Sequence, residues 1–594
     1  MCGIVGYVGH REAQPIILQS LKRLEYRGYD SCGIAALSEG LSLHKDVGRV
    51  VDLEKTIPQM RGCIGIGHTR WATHGAVTAA NAHPHADCTG RIAVVHNGVI
   101  ENFRELRDKL IREGHRFSSE TDTEVIAHLI EKYYRGNALD AVRRALGEIS
   151  GTYALAILVN GHTEVIAARK ESPLILGVGD KENFIASDVA AVLDYTDRVV
   201  YLEDGDIAVV SPDCLTITNG GKEVTRREER VPWTVEDAQK AGYEHFMLKE
   251  IHEQPRTIEA TLRGYVPFMR PLTVLSTDGE RKIRDITLVA CGTSYHAALL
   301  GEYIFGRLCH VPARAKIASE FDPQNMALEN SWVLGITQSG ETADTLRALQ
   351  RAKALGCPTI GITNVPGSSI TRLVGQILYT HSGPEIGVAA TKTFLAQLTT
   401  LYLLAFSLSR LDARTIERLM GEMRVLPAKV QQVLDDEEQI AESARMLARY
   451  ENVFYVGRGI SYPVAMEGAL KLKEISYIHA EAYPAGEIKH GPFALLRSNT
   501  PVVALAPQDD TYEPMLTSIK EIEARGPQVL ALATEGDEAI QQVAQIVIRV
   551  PRVDPLLSPF VNTVVLQLLA YYAAKERGCP IDLPANLAKS VTVP

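Results

Sequence analysis

A chain of 594 residues exceeds what one hydrophobic core can organise, so its length points to about three or four domains. Hydrophobic residues at 46% and charged residues at 23% match folded globular domains, which excludes disordered and fibrous classes. The 62 basic and 72 acidic side chains leave a formal charge of −10, which offers no broad attraction to nucleic acid or to an anionic membrane.

The first stretch, about 210 residues, runs as short β-rich segments between a few helices. CGIVGYVG, GIAAL, GCIGIGHTR and RIAVVHNG each run apolar toward a glycine, which predicts an α+β sandwich. From Arg226 to Gln239 the chain turns charged and proline-containing without an apolar period, as a connector does, and the boundary is expected near Pro232. Beyond it the pattern becomes strand, glycine or hydroxyl loop, then long amphipathic helix, which is how a doubly wound parallel sheet reads. That pattern occurs twice. Val289 to Tyr295 (VACGTSY) aligns with Val456 to Tyr462 (VGRGISY), and WVLGITQSGET aligns with PVVALAPQDDT at nearly the same offset. The expected organisation is therefore a first domain over 1–232, a linker over 233–242, α/β subdomains over 243–410 and 411–580, and a tail over 581–594. The apolar run LAQLTTLYLLAFSLS is punctuated by hydroxyls and predicts a buried helix with no membrane span. Nine scattered cysteines without a CxxC pair argue against a disulfide framework and for a reducing, cytoplasmic setting.

Cys2 follows the initiator methionine. Removal of Met1 would place a thiol and a free α-amine on one residue, and an α-amine with a pKa of about 7.7–8 can act as the base that activates the thiol. A buried cysteine opening a strand is the ordinary alternative. Thr121 and Glu124 have capping-box spacing, so Asp122 can be read as part of a helix start. Asn97-Gly98 has the composition of a tight hairpin turn, and Arg70 that of a surface ion pair. CGIVG, LEYRGYDS, GHTRWATHG, HNGVIENF and the segment around Asp122 together resemble the class II glutamine amidotransferase domain, an N-terminal nucleophile sandwich. The resemblance implies that Cys2 attacks the glutamine carboxamide and that Asn97 and the Gly98 N–H form the oxyanion hole. It implies further that Arg70 and Asp122 bind the α-carboxylate and α-ammonium of glutamine, and that Trp71, Thr73, His74 and Arg27 shape the pocket. His83 and His85 in HPH have no third ligand spaced nearby, so no metal site is expected.

In the second half, two hydroxyl-rich loops precede helices, where exposed N–H groups favour an anion: Cys291, Gly292, Thr293 and Ser294, and Thr337, Gln338, Ser339, Gly340 and Thr342. Neither a GxGxxG nor a GxxxxGK[ST] fingerprint is present, so the pair reads as a phosphate cradle without a nucleotide. Glu467, Lys471 and Glu474 fall on one helical face, which on spacing alone is a solvated salt-bridge surface. With EIGVAATKTF, HAEAYPAGEIKHGP and NLAKSVTV, this half is similar to the paired sugar isomerase domains of the isomerising glutamine:fructose-6-phosphate aminotransferase family. That resemblance implies phosphate binding by Ser294, Thr337, Gln338, Ser339 and Thr342, with Val388 and Ala588 nearby. It makes Glu474 the base that moves a proton between C1 and C2, with Lys471 acting on the neighbouring hydroxyl and Glu467 in support. His490 would open the sugar ring from a partner subunit, and Lys589 would form a Schiff base with the C2 ketone. Thr337 replaces the serine of the family pattern and keeps the hydroxyl, whereas Ala585 and Pro594 stand where arginine and glutamate are expected.

Together these readings imply an enzyme that takes glutamine and fructose 6-phosphate, needs no cofactor, passes ammonia through an internal channel and works as a homodimer without nucleic acid or membrane. Two related amidotransferase classes require a DD[ST] or an SGGxDS loop; no SGGxDS is found, and the DD[ST] match, Asp509-Asp510-Thr511, lies within the second of the two repeated segments. A sugar-phosphate sensor with a decayed glutaminase is the remaining alternative, and the retained Cys2, Arg70, Asn97, Glu474 and Lys589 speak against it.

Overall fold

The computed structural model describes residues 2–231, 233–234, 239–265, 283–325 and 330–592. Met1, the boundary near Pro232 and the terminal Pro594 lie outside the described residues. The chain divides into two compact units, Met1–Ala238 with Ala588–Pro594, and Gln239–Leu587.

In the first unit an eight-stranded and a seven-stranded sheet are built from antiparallel pairs. Gly3–Val8 runs near the middle of one, between Asn183–Ala186 and Ile64–Arg70. Gly151–Val159 lies in the other, between Ile92–Ile100 and Val165–Lys170. Side-chain alternation explains the layering. Ile4, Val8 and Ile66 meet Val95, Ala154 and Ala156 between the sheets, while Val5 and Tyr7 face Ile16, Ile17 and Leu21 of the helix Ala13–Lys22. On the far side Val94, Leu155 and Ile157 cluster with Val125, Ile126 and Leu129 of the helix Glu124–Tyr133. With helices covering both outer faces, central strands are apolar on both sides, and the expected α+β sandwich is observed.

The charged stretch from Arg226 is less featureless than its composition implies. Glu228–Arg230 adds an edge strand to Arg198–Tyr201, and Arg226 holds the fully buried Asp206 through bonds of 2.9 and 2.7 Å. An exposed edge strand has no apolar face to show in the sequence, and its charges discourage pairing with another chain.

The second unit contains two five-stranded parallel sheets of one topology. In the first, strands Ala313–Ile317, Asp285–Ala290, Ser331–Ile336, Thr359–Thr363 and Gln376–Tyr379 lie side by side in that order. The second repeats it with His479–Pro484, Asn452–Gly457, Val502–Ala506, Val529–Thr534 and Ile546–Val550. This order places a topological switch point between the first and third strands in sequence, and ligands of such sheets bind outside the carboxyl ends there. Cys291 with the first turn of the helix Gly292–Cys309, and the loop over 337–342, leave those two ends in the first copy.

The helix Lys392–Leu408 is buried, as its hydroxyl-punctuated sequence predicts. Its start is satisfied by the Glu385 carboxylate, which accepts from Thr391 N–H and Thr393 N–H at 2.9 and 3.1 Å. Thr399 and Thr400 return their hydroxyls to carbonyls one turn back, both at 2.8 Å. The segment Pro555–Glu576 is long and apolar enough to cross a membrane, yet 89% of its apolar window is buried within the fold. It packs against the helix Ser461–Ser476, where a Cβ on Gly468 would lie 2.6 Å from Leu566 Cδ1 and 3.0 Å from Tyr455 Cε1. Gly468→Val is expected to force these helices apart and destabilise the second unit by about 1–3 kcal/mol. Calorimetry of the full chain should then show one transition lowered and the other unmoved.

Candidate active sites

The first site forms where the central strand begins. Gly3 pairs with Thr69, which brings Cys2 beside the backbone that follows Arg70, and Trp71 N–H donates to Cys2 Sγ at 3.1 Å. Burial pushes the Cys2 thiol up, while the positive chain terminus, the Trp71 N–H and Arg70 oppose it. From the other sheet Asn97 reaches across, and its Nδ2 donates to the Cys2 carbonyl at 2.9 Å.

Asn97 and Gly98 are not a hairpin turn. They lie within the strand Ile92–Ile100, opposite Ala154 and Tyr153. Gly98 has φ +134°, and a Cβ there would lie 2.2 Å from the Thr152 carbonyl oxygen, so glycine is required at a distorted point in the strand.

His68, which the sequence reading did not single out, sets the orientation of the Asn97 amide. Its Nε2 lies 3.0 Å from both the His96 carbonyl and Asn97 Oδ1. Both are acceptors, so Nε2 carries the proton and Asn97 must present its NH2 toward Cys2. Burial pushes His68 down to about 3 and holds it neutral. His68 shares a strand face with Arg70 by i, i+2 spacing, and that was the available signal. His83 stacks on it with ring centroids 4.1 Å apart. His83, His85 and His96 are likewise held below the ordinary histidine value, chiefly by burial.

Arg70 is buried, and its guanidinium donates to the carbonyls of His74, Gly75 and Ala76, closing the loop that follows the strand. Ala72 N–H donates to Asp30 Oδ2 at 2.9 Å on the same loop. Trp71 packs edge-on to Tyr29 and His74 edge-on to Phe103, while Thr73 is exposed. Arg27 is buried and paired with Asp188 at 2.5 Å. Buried Asp122 accepts from Ile100 N–H at 2.8 Å.

The capping box expected of Thr121 and Glu124 does not form. The helix begins at Glu124, whose carboxylate instead accepts from the backbone and hydroxyls of Ser118 and Ser119 at 2.6–2.9 Å. Four donors from two adjacent serines outcompete a single backbone N–H, and the Thr121 hydroxyl lies 3.1 Å from His85 Nε2.

The second site forms where the helix Gly292–Cys309 meets the helix Ser461–Ser476. The solvated salt-bridge reading fails here, because Lys471 is fully buried and Glu467 is 1% exposed. Lys471 Nζ lies 2.5 Å from Glu474 Oε2 and 3.5 Å from Glu467 Oε1, and donates to Thr293 Oγ1 at 3.0 Å. Burial alone would lower this ammonium, but the Glu474 and Glu467 carboxylates hold it above its ordinary value. The Thr293 hydroxyl donates to Glu467 Oε1 at 3.1 Å, and His296 Nδ1 lies 2.7 Å from Glu467 Oε2. His296 was missed, although it stands one helical turn beyond Thr293.

Around the switch point Gln397 Nε2 donates to Ser294 Oγ at 3.0 Å. The hydroxyls of Thr337 and Thr342 lie 2.8 Å apart, and Ser339 Oγ accepts from Glu341 N–H at 3.2 Å. The Gln338 carbonyl accepts from Asn364 N–H at 3.0 Å. Gly292 and Gly340 both have positive φ, at +54° and +69°. Cys291 directly precedes the helix and its Sγ lies 3.8 Å from Thr345 Oγ1. Val388 is buried with its N–H donated to the Asp582 carbonyl at 3.2 Å. His490 lies on an exposed turn, and Ala585 N–H donates to the Tyr477 hydroxyl at 2.7 Å. Ala588 and Lys589 belong to the first unit, where Lys589 N–H donates to the Tyr26 carbonyl at 3.4 Å.

The Glutamine amidotransferase domain family profile matches residues 68–194, and the SIS domain profile matches residues 281–407 and 446–577. The chain is 50% identical to a glutamine–fructose-6-phosphate aminotransferase [isomerizing] of Methanosarcina acetivorans, with 100% of both chains covered. It is 48% identical to the protein of that name from Thermus thermophilus, again with 100% of both covered. Among solved structures, the C-terminal domain of glucosamine-fructose-6-phosphate aminotransferase from Francisella tularensis aligns with a TM-score of 0.55 at 36% identity, covering 58% of this chain and 99% of that one.

If His68 orients Asn97, His68→Ala should lower the turnover of glutamine by roughly 10- to 100-fold with little change in KM, and His68→Gln, which keeps a donor, should restore part of it. The pH response has a definite sign. His68 falls from an ordinary 6.5 to about 3 on folding, so the unfolded chain binds a proton the folded chain refuses. The resulting stability is complete above about pH 6.5 and is lost as pH falls toward 3. Melting of the first unit should decline over that window, and His68→Gln should flatten the decline.

Proposed function

The chain belongs to the family of isomerising glutamine–fructose-6-phosphate aminotransferases, and on that premise we propose how its two sites divide the reaction. It catalyses the glutamine-dependent amination and isomerisation of D-fructose 6-phosphate to D-glucosamine 6-phosphate, with release of glutamate.

At the first site the Cys2 thiol, deprotonated by the α-amine that removal of Met1 exposes, attacks the glutamine carboxamide carbon. The tetrahedral oxyanion is met by Asn97 Nδ2 and the Gly98 N–H, and the proton taken from the thiol leaves on ammonia. Water then cleaves the thioester to free glutamate. Arg70 and Asp122 hold the two charged ends of the substrate. The observation that carries this reading is the Asn97 amide fixed by His68 with its NH2 directed to Cys2.

At the second site the hydroxyls and N–H groups at the switch point hold the sugar phosphate, and His490 opens the ring. Exposure of His490 supports a homodimer in which it serves the neighbouring subunit. Lys589 activates the C2 ketone as a Schiff base, ammonia delivered internally from the first site replaces it, and Glu474 carries a proton between C1 and C2. The charged Lys471 donates to the adjacent hydroxyl. Nine free cysteines support a reducing cytoplasm, and no nucleic acid, membrane or cofactor is required.

Amide-labelled glutamine supplied with fructose 6-phosphate should place its label in the amino group of glucosamine 6-phosphate, and label found only in free ammonium would defeat the coupling. Glu474→Gln should reduce aminosugar formation by roughly 10²- to 10⁴-fold while glutamine hydrolysis continues, as read by separate assays of glutamate and hexosamine phosphate.

A further inference from the structure

A second cluster of chemically capable side chains lies in the first unit, outside the groups used above. Cys88, His115, His128 and Glu131 come from three chain segments, and one potential ligand atom from each lies within 4.8 Å of all the others. His128 and Glu131 stand i, i+3 on the helix Glu124–Tyr133, Cys88 lies just beyond the short strand His85–Ala86, and His115 lies just after the helix Phe103–Arg112. We propose that these four residues form a tetrahedral site for a divalent cation of the zinc class.

The distances favour one central ion. Cys88 Sγ lies 3.8 Å from His115 Nδ1 and 3.5 Å from His128 Nδ1. Glu131 Oε2 lies 3.0 Å from His115 Nδ1 and 3.3 Å from His128 Nδ1. Bond lengths of about 2.3 Å to sulfur and 2.0–2.1 Å to nitrogen or oxygen, at tetrahedral angles, put ligand atoms about 3.6 Å apart for S to N and about 3.4 Å for N to O. The S–N separations of 3.5 and 3.8 Å bracket that value, the N–O separations of 3.0 and 3.3 Å fall just short of theirs, and small side-chain rotations suffice to close on an ion. A thiolate with two imidazoles selects against magnesium and calcium, and four protein ligands leave no open position, so the site is structural.

A second, independent feature supports the assignment. His128 is fully buried, and its other nitrogen, Nε2, has no hydrogen-bond partner among the described residues. It lies 3.5 Å from Glu124 Oε1, beyond a good hydrogen bond but within an ion-pair distance. Glu124 is itself fixed by its four bonds from Ser118 and Ser119. A carboxylate held behind the far nitrogen of an imidazole is the arrangement that orients a metal-bound histidine. Arg116 N–H also donates to Cys88 Sγ at 3.2 Å, a bond that a metal-bound sulfur can keep. The ion would clamp two surface turns to the helix whose approach carries Asp122, bracing the glutamine site without entering its chemistry.

Cobalt(II) titrated into the metal-stripped full chain tests this directly. A Cys2→Ala background removes the catalytic thiol as a competing ligand. One equivalent should produce a thiolate-to-cobalt charge-transfer band and intense tetrahedral visible bands, both abolished by zinc. Cys88→Ser, at an exposed position where folding is undemanding, should remove the charge-transfer band and weaken binding at least about tenfold. Glu131→Gln should keep the band with weaker affinity, and zinc should raise the unfolding temperature of the parent but not of Cys88→Ser. Absence of a cobalt spectrum, or a charge-transfer band that persists in Cys88→Ser, would overturn the assignment.

Discussion

A lysine ammonium taken entirely out of water must be neutralised where it lies, and Lys471 imposes that requirement on the second unit. Two carboxylates of its own helix, Glu467 and Glu474, supply the charge, and Thr293 accepts one of its protons. Glu467 is itself almost wholly buried, so it needs more than one partner, and Thr293 and His296 supply them from the Gly292–Cys309 helix. Charge compensation in one sugar isomerase copy is thereby completed by the other. Loss of a partner would leave an uncompensated buried charge, at a cost of about 3–5 kcal/mol. In the same network Glu474, the proposed base, keeps 22% of its side chain exposed while the Lys471 cation behind it is buried.

The glutaminase unit solves the related problem without charge. Cys2, the proposed nucleophile, lies at the start of a central strand, where a mobile amide would be useless as an oxyanion donor, because catalysis by fixed dipoles depends on their being oriented before charge develops. Neutral histidines provide that orientation. His68 holds Asn97, and His96 Nδ1 lies 2.9 Å from the Thr123 hydroxyl while its Nε2 lies 3.2 Å from the Thr152 carbonyl. Thr123 and Asp122 are neighbours, so the donors on one sheet and the residue assigned to the substrate ammonium are positioned by one buried polar layer. Burial keeps these rings uncharged, and an uncharged ring has a fixed donor and a fixed acceptor.

Much of this organisation was legible in the sequence because it rests on periodicity. Alternation in Gly3–Val8 and Ile92–Ile100 and the repeated strand-loop-helix order identify the sandwich and the twin sheets, and i, i+4, i+7 spacing puts Glu467, Lys471 and Glu474 on one face. Burial of that face was not legible, since a Glu/Lys helix face reads as solvated until the Gly292–Cys309 helix is seen to cover it. Turn chemistry misled in the same way. Asn-Gly reads as a hairpin from two residues, but pairing across to Ala154 and Tyr153 overrides it. Thr121 and Glu124 have capping spacing, but Ser118 and Ser119 lie closer to the carboxylate. His68 and His296 carry no motif of their own, and only their neighbours in space give them roles.

The twin sheets share a topology, but the loops at their switch points differ in charge, which bears on the proposal that the first copy holds the sugar phosphate. In the first copy the loop after Ser331–Ile336 offers hydroxyls and a positive-φ glycine. A Cβ on Gly340 would lie 2.0 Å from Ser368 Oγ, so the tight loop requires glycine. Its one carboxylate, Glu341, is engaged by Ser369 N–H at 2.8 Å. In the second copy the equivalent loop after Val502–Ala506 carries Asp509 and Asp510. Asp509 Oδ1 accepts from the Thr511 N–H and hydroxyl at 2.8 and 2.7 Å, just ahead of the helix Tyr512–Glu523. A phosphate there would meet the Asp509 carboxylate, and beside it Asp510, which is paired with Arg307 at 3.1 Å. Identical topology thus provides two switch points, and the acidic loop of the second supports the first as the proposed anion site. The second copy contributes the helix Ser461–Ser476, whose Lys471 is neutralised by Glu467 and Glu474 of that helix and donates a hydrogen bond to Thr293 of the first copy.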